Sequence, residues 1–416
     1  MRALLLAVAI TAGCRSPGEA SASRLRVAVW GPLQPLEPVA GVSFTNLAQD
    51  WVFEPLARID AEGRLGPALA ASVSRIDPRR FRIALRRDVR FSDGSVLTSE
   101  DAVQALESQG LKATPDGEEL IVEPSSEGRP VEALLSRVLV AHKAGGKLLG
   151  SGPFAVAEQD REHVVLVRRQ RKPHFVNEVA LLSFANPKDA FIRTLKGDAD
   201  LVLIFDPRWI EFFEGVPRFK IARGRGNHTT VISFNPRLSR ADRLRLARIL
   251  ASSTVRKSAY GNNCEEQGGP ATDGRVGSRL DLLVAPGHER LALAARRALG
   301  PEGGDLVSSE DFEHYFERMP EYPLSTASAL TWPRSMLALS FHSRSPENRL
   351  HYDNPAVDAA FDESAWAKAE RLLAEDPPVA FVCTLDRVAV VDARVKNPVL
   401  GDYGFLDKLP DWELGE

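Results

Sequence analysis

Cysteine is scarce in this chain, with three in 416 residues, and no two stand in the Cys-x-x-Cys spacing of a structural zinc site or a redox pair. A disulfide scaffold is therefore excluded. Charge of one sign is missing too: 53 Lys and Arg oppose 56 Asp and Glu, a formal net charge of −3. With no basic aromatic patch, nucleic acid is not an expected partner. After the first dozen residues no apolar run approaches the roughly 20 residues that span a bilayer. Enzyme signatures are wanting as well. Gly145-Gly146-Lys147-Leu148 lacks the spaced glycines and the hydroxyl of a phosphate loop. Gly224-Arg225-Gly226 precedes a strand pattern rather than a helix, against a dinucleotide loop. The eight histidines form no close pair on one helix face, and no Gly-x-Ser-x-Gly elbow occurs. No catalytic residue, metal site or cofactor is assigned.

What is present begins at the N-terminus. Arg2 supplies a positive charge, Ala3 to Ala12 is a short run of apolar and small residues, and Gly13-Cys14 follows. This is the layout of an export signal, and the placement of Cys14 resembles a lipobox, with residues 1–13 removed and Cys14 carrying the lipid. Thr11 stands where Leu is usual, which leaves ordinary signal cleavage open beside lipidation, and a buried N-terminal helix with an incidental cysteine is the structural alternative. Residues 14–24, rich in Ser, Ala, Gly and Pro, read as a tether. The expected location is outside the cytoplasm, lipid-anchored to the cell membrane and facing the periplasm or the exterior; more than one acyl chain is needed for a stable anchor. In that compartment Cys264 and Cys383 could form a disulfide; two buried free thiols are the alternative.

Along the mature chain, Leu25 to Trp30 reads as a short buried strand ended by Gly31-Pro32, and Phe44 to Leu56 carries apolar residues at mostly helical spacing. Phe81 to Leu85 alternates in the period of a half-buried strand. A tight turn, Phe91-Ser92-Asp93-Gly94-Ser95, leads to Thr98, an N-cap with the acidic Asp101 at the third helical position.

These segments stand in a longer order: Val52-Phe53-Glu54-Pro55-Leu56, Gly63 to Ala70, Phe81 to Arg86, and Phe91-Ser92-Asp93-Gly94-Ser95 running through Thr98 and Asp101 to Val103. Weaker patches follow at Gly150-Ser151-Gly152-Pro153-Phe154, Gly197-Asp198-Ala199-Asp200, Ile232-Ser233-Phe234-Asn235, His351 to Asp358, and Ala369 to Val379. In order and spacing the chain resembles bacterial extracytoplasmic solute-binding proteins of family 5, the oligopeptide-, dipeptide- and nickel-binding receptors of ABC transporters. The resemblance implies an α/β, two-lobed periplasmic-binding-protein-like fold (type II, cluster C) with a small inserted domain. The expected division is 25–40, 150–236 and 386–416 in lobe I, 41–149 in the insert, and 237–385 in lobe II. Two departures stand out. The segment from Val103 to Gly150 is short for the family, and Arg243 to Lys257 keeps a basic, apolar helical mix without the family's motif.

The implied function is capture of a small or peptide-like solute by closure of the lobes, as a monomer, followed by delivery to a membrane permease and its ATPase. The family includes receptors for peptides, nickel chelates, haem and sugars. Its pattern aims Trp30, Phe205, Asp206, Asn227, His228, Thr229, Trp332 and Arg334 at the cleft. For Trp30 and Trp332 a core position is an equal alternative, and Asp206 could instead cap a helix beginning at Pro207. Family receptors for peptides hold the ligand's ammonium with an aspartate shortly after the tryptophan; here Pro333-Arg334-Ser335-Met336 follows Trp332. A guanidinium there favours an anionic solute, or a sensor or scaffold lipoprotein that retains the fold. A periplasmic hydrolase is the enzyme alternative, and the sequence shows no triad or metal set for it.

Overall fold

The computed structural model describes residues 23–38, 47–261, 263–264, 278–309, 312–401 and 406–415. The signal segment, Cys14 and nearly all of the tether lie outside the described residues.

Arg24–Trp30 is buried at Leu25, Val27, Ala28 and Val29, as a strand covered on both faces must be. It runs parallel to Glu178–Phe184 and Leu201–Ile204. The seven-stranded sheet around it is ordered Phe154–Gln159, His163–Arg168, Glu178–Phe184, Arg24–Trp30, Leu201–Ile204, Arg387–Asp392, Phe219–Gly224. Leu25, Val27 and Val29 pack on one face with Trp51, Phe53 and Trp412. Ala28 and Val202 pack on the other with Phe191 of the helix Pro187–Lys196. Residues 47–54 therefore sit with the first lobe rather than with the insert. The helix expected across Phe44–Leu56 is described only as Gln49–Val52, because Phe53 turns to an extended backbone.

The second lobe has a five-stranded sheet, ordered Gly303–Ser308, Leu280–Val284, Leu324–Leu330, His228–Phe234, Val379–Thr384. Ile232 and Phe234 face the helices Arg240–Leu250, Ser253–Tyr260 and Glu289–Leu299. Val231 and Ala329 face the helices Leu337–Phe341, Pro355–Asp362 and Trp366–Glu375. Because His228–Phe234 pairs only with strands of this sheet, the chain crosses between lobes at Arg225–Asn227, earlier than the boundary after Pro236 expected from the sequence. The basic stretch Arg243–Lys257 is broken in two because Ser252 caps a new helix, its side chain accepting from the Val255 amide.

The insert is built on the sheet Ala70–Asp77, Arg80–Leu85, Glu119–Pro124, Leu111–Asp116. Its helix Ser99–Ser108 opens with a reciprocal capping box between Thr98 and Asp101. Its core is shared: Phe81, Phe91, Leu106 and Val122 pack with Met336 and Leu339 of the second lobe. Burying those two side chains stabilises the contact by about 1.5–3 kcal/mol each. The fit is close, since a Cβ on Gly128 would lie 2.6 Å from the Arg344 backbone. Ion pairs Arg137–Glu347, at 3.0 Å, and Arg344–Glu127 rim it. Towards the first lobe the insert is held by Arg169, which donates to the carbonyls of Phe91 at 2.8 Å and Arg90 at 3.3 Å, and by Leu139, which packs in the first-lobe core.

Candidate functional site

Strand direction sets where the two lobes face each other. Trp30, Phe184 and Ile204 end parallel strands on one edge of the first sheet, and ligand crevices of α/β sheets lie beyond such carboxyl ends. His228, Leu330 and Thr384 share one edge of the second sheet. Two segments join these edges, Arg225–Asn227 outward and Leu385–Asp386 back. They run side by side: a Cβ on Gly226 would collide with the Leu385 carbonyl. Arg387, 3% exposed, ties them by donating to the Arg225 carbonyl at 2.7 Å and to that of Gly401. Every residue that the sequence pattern aimed at the cleft lies within a few positions of these two edges or crossings.

On the first lobe, Trp30 meets Phe205 edge-on at 5.7 Å and Phe191 at 6.0 Å. It is half-buried at the rim of the core, while Phe205 is 45% exposed. Asp206 caps the short helix Pro207–Phe212, accepting from the Arg208 amide, and is ion-paired with the Arg208 side chain. Burial alone would raise its pKa, but the hydrogen bonds from Arg208, helped by Arg290 across the cleft, outweigh that and hold the carboxyl below its usual range. The capping alternative is thus the one realised, on a residue that still borders the cleft.

On the second lobe, Asn227 is buried and its amide oxygen lies 2.8 Å from His228 Nδ1. His228 keeps solvent-exposed surface, but its ring is surrounded by protein. That enclosure, with Arg387 nearby, lowers its pKa to about 4, so the imidazole is neutral at pH 7. Thr229 holds the strand ends together, its hydroxyl 2.7 Å from that of Thr331 and 2.6 Å from that of Thr384. Trp332 is half-buried; its ring abuts Gly63 of the insert and carries the Arg225 guanidinium at 5.2 Å. Arg334 departs from the expectation. It is 58% exposed and pairs with Glu370 at 3.1 Å on its own lobe, so its charge is offset there rather than aimed into the cleft.

A second flank of the cleft escaped the sequence reading. Asp206 to Phe212 of the first lobe face Lys257, Tyr260, Asn263 and Arg290 of the second across a space of about 610 Å³. Burial pushes the Tyr260 phenol up to about 12, against the pull of its hydrogen bond with Thr230, so it stays protonated. Trp209 and Phe212 follow Asp206 directly, and an aromatic cluster so near an expected site residue was a usable signal. Tyr260 and Arg290 carried none: each reaches the cleft from the end of a helix far along the chain. Cys264, next to this flank, is bonded to Cys383, their Cα atoms 5.6 Å apart. Among the described residues no group of three or more His, Cys, Asp or Glu is placed to hold a metal ion, and no helix is long and apolar enough to cross a membrane.

The sequence matches no family model and no curated protein. Solved structures are similar over nearly the whole chain. NikA from Staphylococcus aureus, in complex with Ni(L-His)2, has a TM-score of 0.74 at 15% identity, covering 92% of this chain and 98% of that one. The oligopeptide-binding protein AppA from Bacillus subtilis, in complex with a nonapeptide, has 0.71 at 14%, covering 94% and 99%. The ABC transporter substrate binding protein CtaP from Listeria monocytogenes has 0.73 at 17%, covering 94% and 99%. At such identities the likeness shows the fold: the chain has the two-lobed α/β architecture of these binding proteins.

Proposed function

We propose that this chain is an extracytoplasmic solute-binding protein of family 5, the lipid-anchored receptor of an ABC importer. One observation carries the reading: two sheets present facing edges, and these edges are joined by two adjacent crossings locked through Arg387. That arrangement permits hinge closure, in which a solute is enclosed as the lobes rotate about a few connecting residues. The solute-lining set is Trp30, Phe205, Asp206, Asn227, His228, Thr229 and Trp332, with Tyr260 and Arg290 added from the second flank. Arg334 is removed from it. The partners are a membrane permease and its ATPase, Cys14 supplies the anchor, and the receptor works as a monomer without catalytic turnover.

The chemistry of the lining supports binding rather than reaction. His228 is neutral, Asp206 is engaged by Arg208, and the Thr229–Thr331–Thr384 hydroxyls satisfy one another. The test is lobe closure followed by small-angle X-ray scattering on the full mature chain, with Ni(L-His)2, short peptides and a metabolite panel as probes. At least one probe should contract the particle, and contraction by none would leave the receptor reading without support. A second reading, a sensor or scaffold lipoprotein, is favoured by the run Pro333-Arg334-Ser335-Met336, which puts no carboxylate after Trp332. A permease and an ATPase encoded beside this gene would decide for transport.

A further inference from the structure

The flank between Asp206–Phe212 and the second-lobe residues Lys257, Tyr260, Asn263 and Arg290 has two chemically different walls. The first-lobe wall is aromatic. Trp209 and Phe212 lie 5.3 Å apart at 36°, Trp209 is backed by Phe191 at 4.6 Å, and Phe212 is 59% exposed. An open ring braced by a second ring is a flat apolar platform, and uncovered aromatic surface inside a cleft marks a place where something apolar lands. The second-lobe wall is cationic. Lys257 and Arg290 line it, and neither makes an ion pair among the described residues.

The carboxylates do not balance them. Asp206 is hydrogen-bonded by Arg208, which donates from its amide at 3.1 Å and from Nε at 2.8 Å, and Arg290 acts on it only through space, without an ion pair. Glu211 is then the remaining carboxylate of the lining, exposed on the first-lobe side. Tyr260, kept protonated by burial and hydrogen-bonded with Thr230, completes the polar side of the lining. Some 610 Å³ of space is ample for a single-ring compound.

We infer that this flank takes a flat or aromatic organic anion, its acid group held by Lys257 and Arg290 and its ring laid on Trp209 and Phe212. This rests on the interlobe reading above and narrows it. The guanidinium grips a carboxylate through two parallel bonds, and the ammonium adds a point charge. Arg334 has no part in it, since Glu370 already holds that side chain.

The experiment keeps the ring constant and changes the charge. N-acetyl-L-phenylalanine presents only a carboxylate, L-phenylalaninamide only an ammonium, and L-phenylalanine both. Calorimetry on the full mature chain should give the N-acetyl anion at least tenfold tighter binding than the amide. Lys257→Ala and Arg290→Ala should each weaken the anion by roughly tenfold, the scale of one charge-assisted hydrogen bond, with unchanged melting temperature. Glu211→Gln should leave the anion as tight or tighter. The inference is overturned if the amide binds as well as the anion, if the preference survives both cation substitutions, or if only L-phenylalanine binds and Glu211→Gln abolishes it. Scattering separates this from failure of the wider reading. Closure on peptide or Ni(L-His)2 without anion binding sinks the anion and spares the receptor, whereas a chain that closes on no probe loses both.

Discussion

His228 lies between the amide of Asn227 and the region of Arg387, and its lowered pKa has a definite sign. Unfolded, the ring titrates near its ordinary 6.5; folded, it titrates near 4. Between those values the unfolded chain binds more protons, so His228 contributes stability that is complete above pH 6.5 and is lost as pH falls towards 4. His142, hydrogen-bonded to Asp101, is shifted up by that bond and acts in the opposite sense: its contribution is complete below 6.5 and is lost as pH rises through its folded pKa. The slope of melting temperature against pH between 4 and 6.5 should therefore flatten in His228→Asn relative to the unmodified chain; an identical slope would mean the ring is not enclosed. Trp332 and Arg334 now separate as well. Trp332→Ala should weaken solute binding by about 2 kcal/mol or more if the ring is an interface anchor. Arg334→Ala, which removes a largely exposed side chain paired with the half-buried Glu370, should change affinity and stability by less than about 1 kcal/mol. Calorimetry and thermal melts on both variants read the two quantities independently.

Elements were legible where the information was local. The strand at Leu25–Trp30, the alternating Phe81–Leu85 and the Thr98–Asp101 cap each depend on neighbours within a few positions, and each forms within a residue of where the pattern put it. Arg243–Lys257 is not one helix for an equally local reason: Ser252 offers the backbone a cap, and a cap ends one helix as readily as it begins another. The wall made by Lys257, Tyr260 and Arg290 was illegible because it depends on how two helix ends dock on a sheet edge, a tertiary fact with no short-range signature. One covalent element bears on this wall. The Cys264–Cys383 bond spans 119 residues of sequence, and closing so long a loop should stabilise the second lobe by about 2–5 kcal/mol. Reduction should therefore lower the denaturation midpoint of that lobe and leave the first-lobe transition in place. Coincident shifts of both transitions would show instead that the lobes unfold as one.

At the scale of the whole molecule, the lobes and the insert have different claims on one another. The insert joins the first lobe by chain, by the hydrogen bonds of Arg169 to Arg90 and Phe91, and by Leu139 in the first-lobe core, and it shares Met336 and Leu339 with the second. Net hydrogen-bond contributions run about 0.5–1.5 kcal/mol apiece, and the shared core and its rim exceed them. Arg169→Ala should then widen the range of lobe orientations seen by scattering without lowering the melting temperature by more than about 2 kcal/mol equivalent. An unaltered distribution would assign the restraint elsewhere. The anchor is tested at this scale too: Cys14→Ser should abolish acyl labelling and shift the chain from the membrane to the soluble fraction.

Met336 and Leu339, set into the core of a domain that belongs to the other half of the chain, turn the molecule into a closed mechanical linkage. Two bodies joined by a hinge have one freedom; a third body fastened to both removes it unless one fastening slips. On the first-lobe side the insert is fastened where residues 54–56 and 138–140 cross, the Leu56 amide donating to Val138 and that of Val140 to Glu54 while Leu139 enters the first-lobe core, so the proposed closure would have to slip one of the two fastenings.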